Sequence, residues 1–482
     1  MGTNSDRTAS ALPRVLGPWM TTAVVIGTVI GSGVFKKPAA VAEKIPEFIP
    51  AMGVWVAGGM LALIGSLVLA EVAVLFPKAG GNYVFLREGY GRAFGFLWGW
   101  VEFWIIRSGS IAALATIFTE SLCELIQYLL IPEGQAVAFW PRQLMTVTVI
   151  MGLAAVNVRG VRWGGTLQVI LTTVKIASLV GIALLPFVSV LWTEPKPLPQ
   201  ATTVPQWGIT SFGLALIGVI WAYHGWMNIG PIAGEVARPQ RNIPFGLLLG
   251  VGVIILLYLS ANFAYHQTMS SEEMAKLPKT TSVLAECGRR WLGPIGGAVA
   301  AAVLMASVFG ALNGNIMVGP RLLFAMGEDR LAPAVMQRVH PEFGTPSVAI
   351  LVMSGWSAFM VLAVAIALRW AGKEDSKGAF DTITDFAMFG AVCFETLAVL
   401  SIFSFRRQYP DAPRPYRCPL YPVLPALYGI LLAGVIASYF IQPDKRGEAF
   451  SGIGTIFVGV VVYAVFLRRP RPLDPAPVPP TQ

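Results

Sequence analysis

Charge is scarce in this chain, and the residue patterns that enzymes use are scarcer. Only 13% of its 482 residues are charged, against roughly a quarter in a soluble domain. The chain has three histidines besides, His224, His266 and His340, and they show no HExxH spacing. Neither a GxSxG elbow nor a GxxxxGK[ST] phosphate loop occurs, so nucleophilic, metalloprotease and nucleotide-hydrolysing chemistry each lack their signature. The four cysteines, Cys123, Cys287, Cys393 and Cys418, have no CxxC or metal-ligand spacing and read as small apolar fillers. Cys123 and Cys287 both fall toward the outer side of the layout below, which leaves a disulfide between them open. No cofactor and no metal are expected.

What the chain does have is apolar length. Hydrophobic residues make up 55% of it and the mean hydropathy is +0.65, which marks an all-α polytopic membrane protein whose immediate partner is the lipid bilayer. Runs of about 20 residues, enough to cross roughly 30 Å of hydrocarbon, fall near 15–44, 51–76, 93–122, 142–158, 163–191, 209–232, 243–266, 291–325, 346–369, 379–405, 421–441 and 449–467. Twelve transmembrane helices are therefore expected, within a single membrane domain at 15–467. A polar tail at 1–14 precedes it, and a disordered Pro-rich tail at 468–482 follows. Nothing before residue 15 has the pattern of a cleaved signal, so the first span is expected to be retained. An even number of spans puts both ends on one side. The densely basic loops at 159–162 and 406–417 make that side the cytoplasm of a cell membrane. The net charge of +9 then reads as topology, with no nucleic acid partner expected.

Two spans carry backbone breakers, GTVIGSGVF at 27–35 and WAYHGWMNIGP at 221–231. Unwound backbone at membrane depth is tolerated only where protein or a wet cavity satisfies it. Gly27, Gly31 and Gly33 are expected to let the first span leave helical geometry, although a close helix crossing is the competing reading of the small residues. Each break leaves free N–H groups on one half-helix and free carbonyls on the other. The first suit a carboxylate and the second an ammonium, so the two breaks together suit a zwitterion. Spans 1–5 (about 15–191) and 6–10 (about 209–405) carry the breaks in corresponding positions with opposite orientation. That arrangement predicts a five-plus-five inverted repeat, with spans 11 and 12 (about 421–467) outside it.

These segments, with FPKAGGNYVFLREGYG (76–91), EFWIIRSGS (102–110), AYHGWMNIGPIAGEVARPQRNIP (222–244) and FGALNGNIMVGPRLLFAMGEDRLAP (309–333), strongly resemble the amino acid–polyamine–organocation superfamily. Within it the chain is most similar to the L-type amino acid transporter family, over about residues 15–440. The resemblance implies a LeuT-like fold with broken helices 1 and 6, and sodium-independent amino acid transport across the plasma membrane, commonly by exchange. It puts the substrate carboxylate on the backbone N–H groups of Ser32, Gly33 and Val34, and the ammonium on carbonyls near Val29, Ile30 and Trp221. Tyr223, His224, Gly225 and Asn228 form the second break, with Trp221 or Trp226 as a lid.

Lys175 lies in the middle of span 5, where a charge costs about 2.5–3.5 kcal/mol and needs a partner. The resemblance implies that its ammonium contacts the unwound carbonyls of span 1, where related transporters hold sodium; a structural pair with an acidic residue is the alternative. Glu102 and Arg107, five apart on span 3, suit an ion pair or gate, though not ideally aligned on an α-helix. Glu71 near the end of span 2 is expected to be solvated or interfacial. Ser307 and Asn315 on span 8 are candidates for hydrogen bonds toward span 1. His224, near a half-helix end, is expected to be uncharged, bonded to backbone or substrate, and unfavourable to cationic substrates.

The function expected is exchange of neutral L-amino acids by alternating access. Proton-coupled amino acid or polyamine symport and transporter-derived nutrient sensing remain as alternatives. Relatives that bind a single-span glycoprotein do so through an outer cysteine. The loop after span 3 has none, so no disulfide-linked heavy chain is expected.

Overall fold

The computed structural model describes residues 12–130, 137–189, 208–278, 281–370, 372 and 379–467. The tail at 468–482 and the first eleven residues lie outside the described residues. Among those described, every regular element is helical, apart from one parallel bridge between Leu16 and Val236. Twelve helices are long and apolar enough to cross a membrane: Pro18–Lys44, Phe48–Leu75, Arg92–Ile126, Phe139–Val158, Val161–Leu185, Ile209–Ile229, Pro239–Thr268, Ile295–Glu328, Ser347–Trp370, Met388–Gln408, Val423–Ile441 and Arg446–Leu467. We number them spans 1 to 12. The most apolar stretches of spans 1 and 2 are 83% buried, against 28% for span 5 and 11% for span 12. Spans 1 and 2 therefore run through the protein interior, and spans 5 and 12 face lipid. Leu, Ile and Val on the lipid side cost nothing there, because the solvent is itself apolar.

Span 1 is two helices, Pro18–Val29 and Gly33–Lys44, joined by three residues. Span 6 runs as an α-helix over Ile209–Tyr223 and then leaves it at His224, whose ψ of 145° is extended. Gly225 follows at φ 111°, a left-handed conformation open to glycine. Short 3-10 turns at Trp226–Ile229 and Ala233–Glu235 replace the second half of an α-helix. The two breaks touch: the Thr28 hydroxyl donates to the Gly225 carbonyl at 3.1 Å.

The glycines of the first break act differently from the expectation. Gly27 is helical, and a Cβ there would lie 2.0 Å from the Gln168 amide of span 5. A Cβ on Gly33 would lie 2.6 Å from the Ala222 backbone. Both allow close helix approach, and none of the three has a positive φ. The backbone turns at Ile30, at ψ 92°, a conformation open to any residue.

The face that carries the described N-terminal end is stapled by charge. Glu235 and Arg321, essentially inaccessible to solvent, pair at 2.7 Å. Next to them, Leu16 donates its N–H to the Glu235 carbonyl and accepts from the Ala237 N–H. Arg87 and Tyr83 of the short helix Asn82–Tyr90 both reach Asp329. Glu71 corrects the expectation of a solvated role. It is buried, holds Arg406 through both oxygens at 2.9 and 2.8 Å, lies 3.3 Å from Arg414 and accepts the Cys418 N–H. Burial, with the Glu71 carboxylate adding to it, pushes the Cys418 thiol up to about 11. All four cysteines are free, so Cys123 and Cys287 do not pair.

Candidate functional site

A cavity of about 40 Å³ lies where the two breaks meet, lined by Thr28, Val29, Gly31, Ser32 and Gly33 of span 1 and by Trp221, Ala222, His224, Gly225 and Asn228 of span 6. Ser110 and Leu114 of span 3 and Ala311 and Asn315 of span 8 close it. By the measure in which one water needs about 10–15 Å³, that is room for roughly three waters. No Asp, Glu, Lys or Arg is among the lining residues.

The polarity of the cavity comes from backbone. The helix Gly33–Lys44 starts at its wall with Ser32 as N-cap, and no side chain caps it, so its first N–H groups face the cavity without an intrahelical acceptor. Val29, Trp221 and Ala222, from the ends of Pro18–Val29 and Ile209–Tyr223, line the same cavity and bring helix-terminal carbonyls to it. These carbonyls are partly occupied already. Tyr258 of span 7 donates to both Val29 and Ala222, at 3.2 and 3.0 Å, bridging the two breaks with one hydroxyl. The Trp221 carbonyl accepts the His224 N–H.

Lys175 supplies the next layer. Its ammonium donates to the carbonyls of Gly27 at 2.7 Å and Ile30 at 2.5 Å, and no carboxylate pairs with it among the described residues. Ser307 donates to Gly31 at 3.0 Å and Ile30 at 3.3 Å. The Ile30 carbonyl thus has two donors for its two lone pairs and is not open to a substrate ammonium. The Val29 carbonyl, with the Tyr258 hydroxyl as its side-chain donor, keeps one lone pair.

Arg107 is the hub on the side of the cavity toward the described N-terminus. Its guanidinium donates to Glu102 at 2.8 Å, to Asn315 Oδ1 at 2.6 Å and to Asn228 Oδ1 at 2.8 Å. Span 3 is wound as a π-helix over Glu102–Arg107, which brings residues five apart onto one face. Asn228 lines both the main cavity and a smaller one bounded by Gly80, Asn82, Glu102 and Arg107. The Arg107 fork therefore lies between the cavity and the loop after span 2. Asn315 faces Arg107 rather than span 1, contrary to expectation, because the charged donor makes the stronger bond.

His224 is not bonded to backbone through its ring. Its Nε2 lies 2.9 Å from Glu395 Oε1 of span 10, and the ring stacks on Trp221 at 6.1 Å and 3°. His224 lines the cavity, but four expected residues lie off it. Ile30 and Val34 are buried and do not line it, although Val34 belongs to the first turn of the second half-helix. Tyr223 turns away to pack against Trp55 and Tyr258. Trp226 is buried against Gly65 of span 2, where a Cβ would meet its ring at 2.6 Å, so of the two tryptophans only Trp221 borders the cavity.

Sequence reasoning missed Tyr258 and Glu395. Tyr258 gave no signal, since a tyrosine in an apolar span is ordinary. Glu395 gave the same signal as Lys175, a carboxylate inside the apolar stretch AVCFETLAVL.

Comparison with known proteins agrees along nearly the whole chain. The serine/threonine exchanger SteT of Bacillus subtilis (strain 168) is 29% identical over 434 residues, 90% of this chain and 91% of that one. The human cystine/glutamate transporter is 26% identical over 452 residues, 93% and 85% of the two chains. The mouse large neutral amino acids transporter small subunit 2 is 26% identical over 459 residues, 94% and 81%. The model of the amino acid permease family matches residues 16–466, and with more than nine-tenths of its length inside that match, this chain belongs to the amino acid permease family.

Proposed function

We propose that this protein exchanges small neutral L-amino acids across the plasma membrane, without sodium, by alternating access, with both termini cytoplasmic. The observation that carries the reading is the cavity: a lining without Asp, Glu, Lys or Arg around a space bordered by the start of one half-helix and the C-terminal ends of two others. A zwitterion matches both sets of helix ends, its carboxylate on the N–H groups of Ser32 and Gly33, with that of Val34 behind them, and its ammonium on the carbonyl of Val29, beside that of Trp221. Leu114 and Ala311 leave room for a small side chain. Lys175 supports independence from sodium, because its ammonium already satisfies the Gly27 and Ile30 carbonyls that a cation would seek. The relatives' printed names, a serine/threonine exchanger among them, support exchange. The inner side opens in this scheme when Arg107 releases Asn228 and Asn315. Cys123 and Cys287 are buried, in keeping with a carrier that works without a disulfide-linked partner.

The test is counterflow. Proteoliposomes loaded with unlabelled alanine or serine, in sodium-free buffer, should take up the labelled amino acid at least ten-fold faster than empty ones. Strict dependence on sodium, or no trans-stimulation by any of the twenty amino acids, refutes the reading. The His224–Glu395 pair favours a second reading, proton-coupled symport, since an imidazole and a carboxylate at the cavity wall can exchange a proton. A pH gradient that drives net uptake into empty vesicles, lost in Glu395→Gln, would select it.

A further inference from the structure

We infer that the groove where spans 1 and 7 begin binds the headgroup of an anionic phospholipid. The groove encloses about 420 Å³ between Pro18 and Trp19 on one wall and Arg238, Arg241, Asn242 and Phe245 on the other. The α-helices of both spans start at it, at Pro18 and Pro239, so it lies at the depth where hydrocarbon gives way to headgroups. Arg238 and Arg241 are exposed, and among the described residues neither has an ion pair or side-chain hydrogen bond and no acidic side chain lines the groove. The Asn242 amide is already committed to the Ala237 carbonyl. Two guanidiniums three residues apart, one on the N-cap and one in the first turn of a 30-residue helix, suit a phosphate in charge and in spacing.

The apolar part of the groove commits the occupant to a lipid. Trp19 is 70% exposed and Phe245 40%, and their rings meet edge to face at 5.9 Å on the outer surface of two membrane spans. A soluble anion would leave that shelf uncovered, whereas a phospholipid covers it with its glycerol and upper acyl carbons while the phosphate takes the arginines. The groove adjoins the Leu16–Val236 bridge, which ties the start of span 1 to the segment after the span 6 break. A bound lipid therefore braces the two broken spans together on that face. Which leaflet supplies the lipid rests on the orientation proposed above; the binding itself does not.

The test uses the full chain, delipidated in a neutral detergent and titrated with phosphatidylglycerol, phosphatidylcholine or inorganic phosphate, with native mass spectrometry for bound lipid and a thermal melt for protection. Wild type should retain phosphatidylglycerol at least ten-fold better than phosphatidylcholine and melt several degrees higher with it. Arg238→Asn with Arg241→Gln should lose both effects while matching wild type in phosphatidylcholine; asparagine suits the left-handed φ of 47° at position 238. Arg241→Lys, which keeps the charge and removes the fork, should weaken retention without changing the melt in phosphatidylcholine. Undiminished phosphatidylglycerol binding in the double variant overturns the proposal. So does an equal loss in Arg159→Gln with Arg162→Gln, basic residues of the same face outside the groove, or equal protection by millimolar inorganic phosphate.

Discussion

A single ammonium group decides how the first break is held. Lys175 reaches two carbonyls that no helix satisfies, and Gly310 of span 8 makes room for it, since a Cβ there would lie 2.6 Å from Lys175 Cε. Lys175→Ala should insert normally, because it removes a charge from the membrane interior, yet lower counterflow at least ten-fold. Gly310→Ala should show a smaller loss of the same kind by displacing the ammonium. Transport at wild-type rates in both variants would refute the bracing role. Lys175 was legible in the sequence because a lone charge amid apolar residues must have a partner. The partners of His224 and Glu395 were not, because the two residues are 171 apart in sequence and only the fold brings them within 2.9 Å. Tyr223 and Trp226 were misplaced for a related reason: sequence puts a residue at a break but does not say which way its ring points.

At the scale of the element, the π-helix of span 3 is the informative departure. On a 3.6-residue turn Glu102 and Arg107 are imperfectly aligned, as their spacing implied; the wider turn aligns them and leaves the guanidinium free to fork onto spans 6 and 8. Arg107→Lys keeps the charge but loses the planar fork whose three separate nitrogens reach Glu102, Asn315 and Asn228. Counterflow in that variant should fall at least ten-fold, with leak past the fork measured as faster loss of preloaded substrate into amino-acid-free buffer. A variant with wild-type exchange and no added leak would show that the fork is not a gate. Pattern reading placed both breaks, because glycine-rich runs inside apolar spans are conspicuous. It did not give the 3-10 turns after Gly225, which flank Pro231, itself packed against the Gly80–Gly81 turn from a distant part of the sequence.

Across the whole molecule, the count and order of the spans were legible from hydropathy alone, since hydrocarbon thickness fixes helix length. The staples on the N-terminal face were not, because the acidic partners Glu71, Glu235 and Asp329 sit far in sequence from the arginines they hold. The five-plus-five repeat remains an expectation from span order. Glu235→Gln should leave Arg321 charged and unpaired in a dry site, a change that costs about 3–5 kcal/mol where buried pairs have been broken. Its melting midpoint in detergent should drop clearly below that of wild type, and Glu342→Gln, an exposed acidic residue of the same face, should not shift it. Equal midpoints would mean that the pair is solvated in practice.

Lys175 also bears on energy supply. Its positive charge is part of the protein and never crosses the membrane with substrate, whereas a bound cation in the same place would be carried along on each turnover. If the cargo is a zwitterion swapped one for one, no net charge moves, and the roughly 2.3 kcal/mol that 100 mV lends to each transferred charge is not available to the cycle. An imposed potassium diffusion potential should leave the exchange rate unchanged in either polarity. Such a carrier spends one cellular amino acid pool to acquire another, and it holds their sum constant.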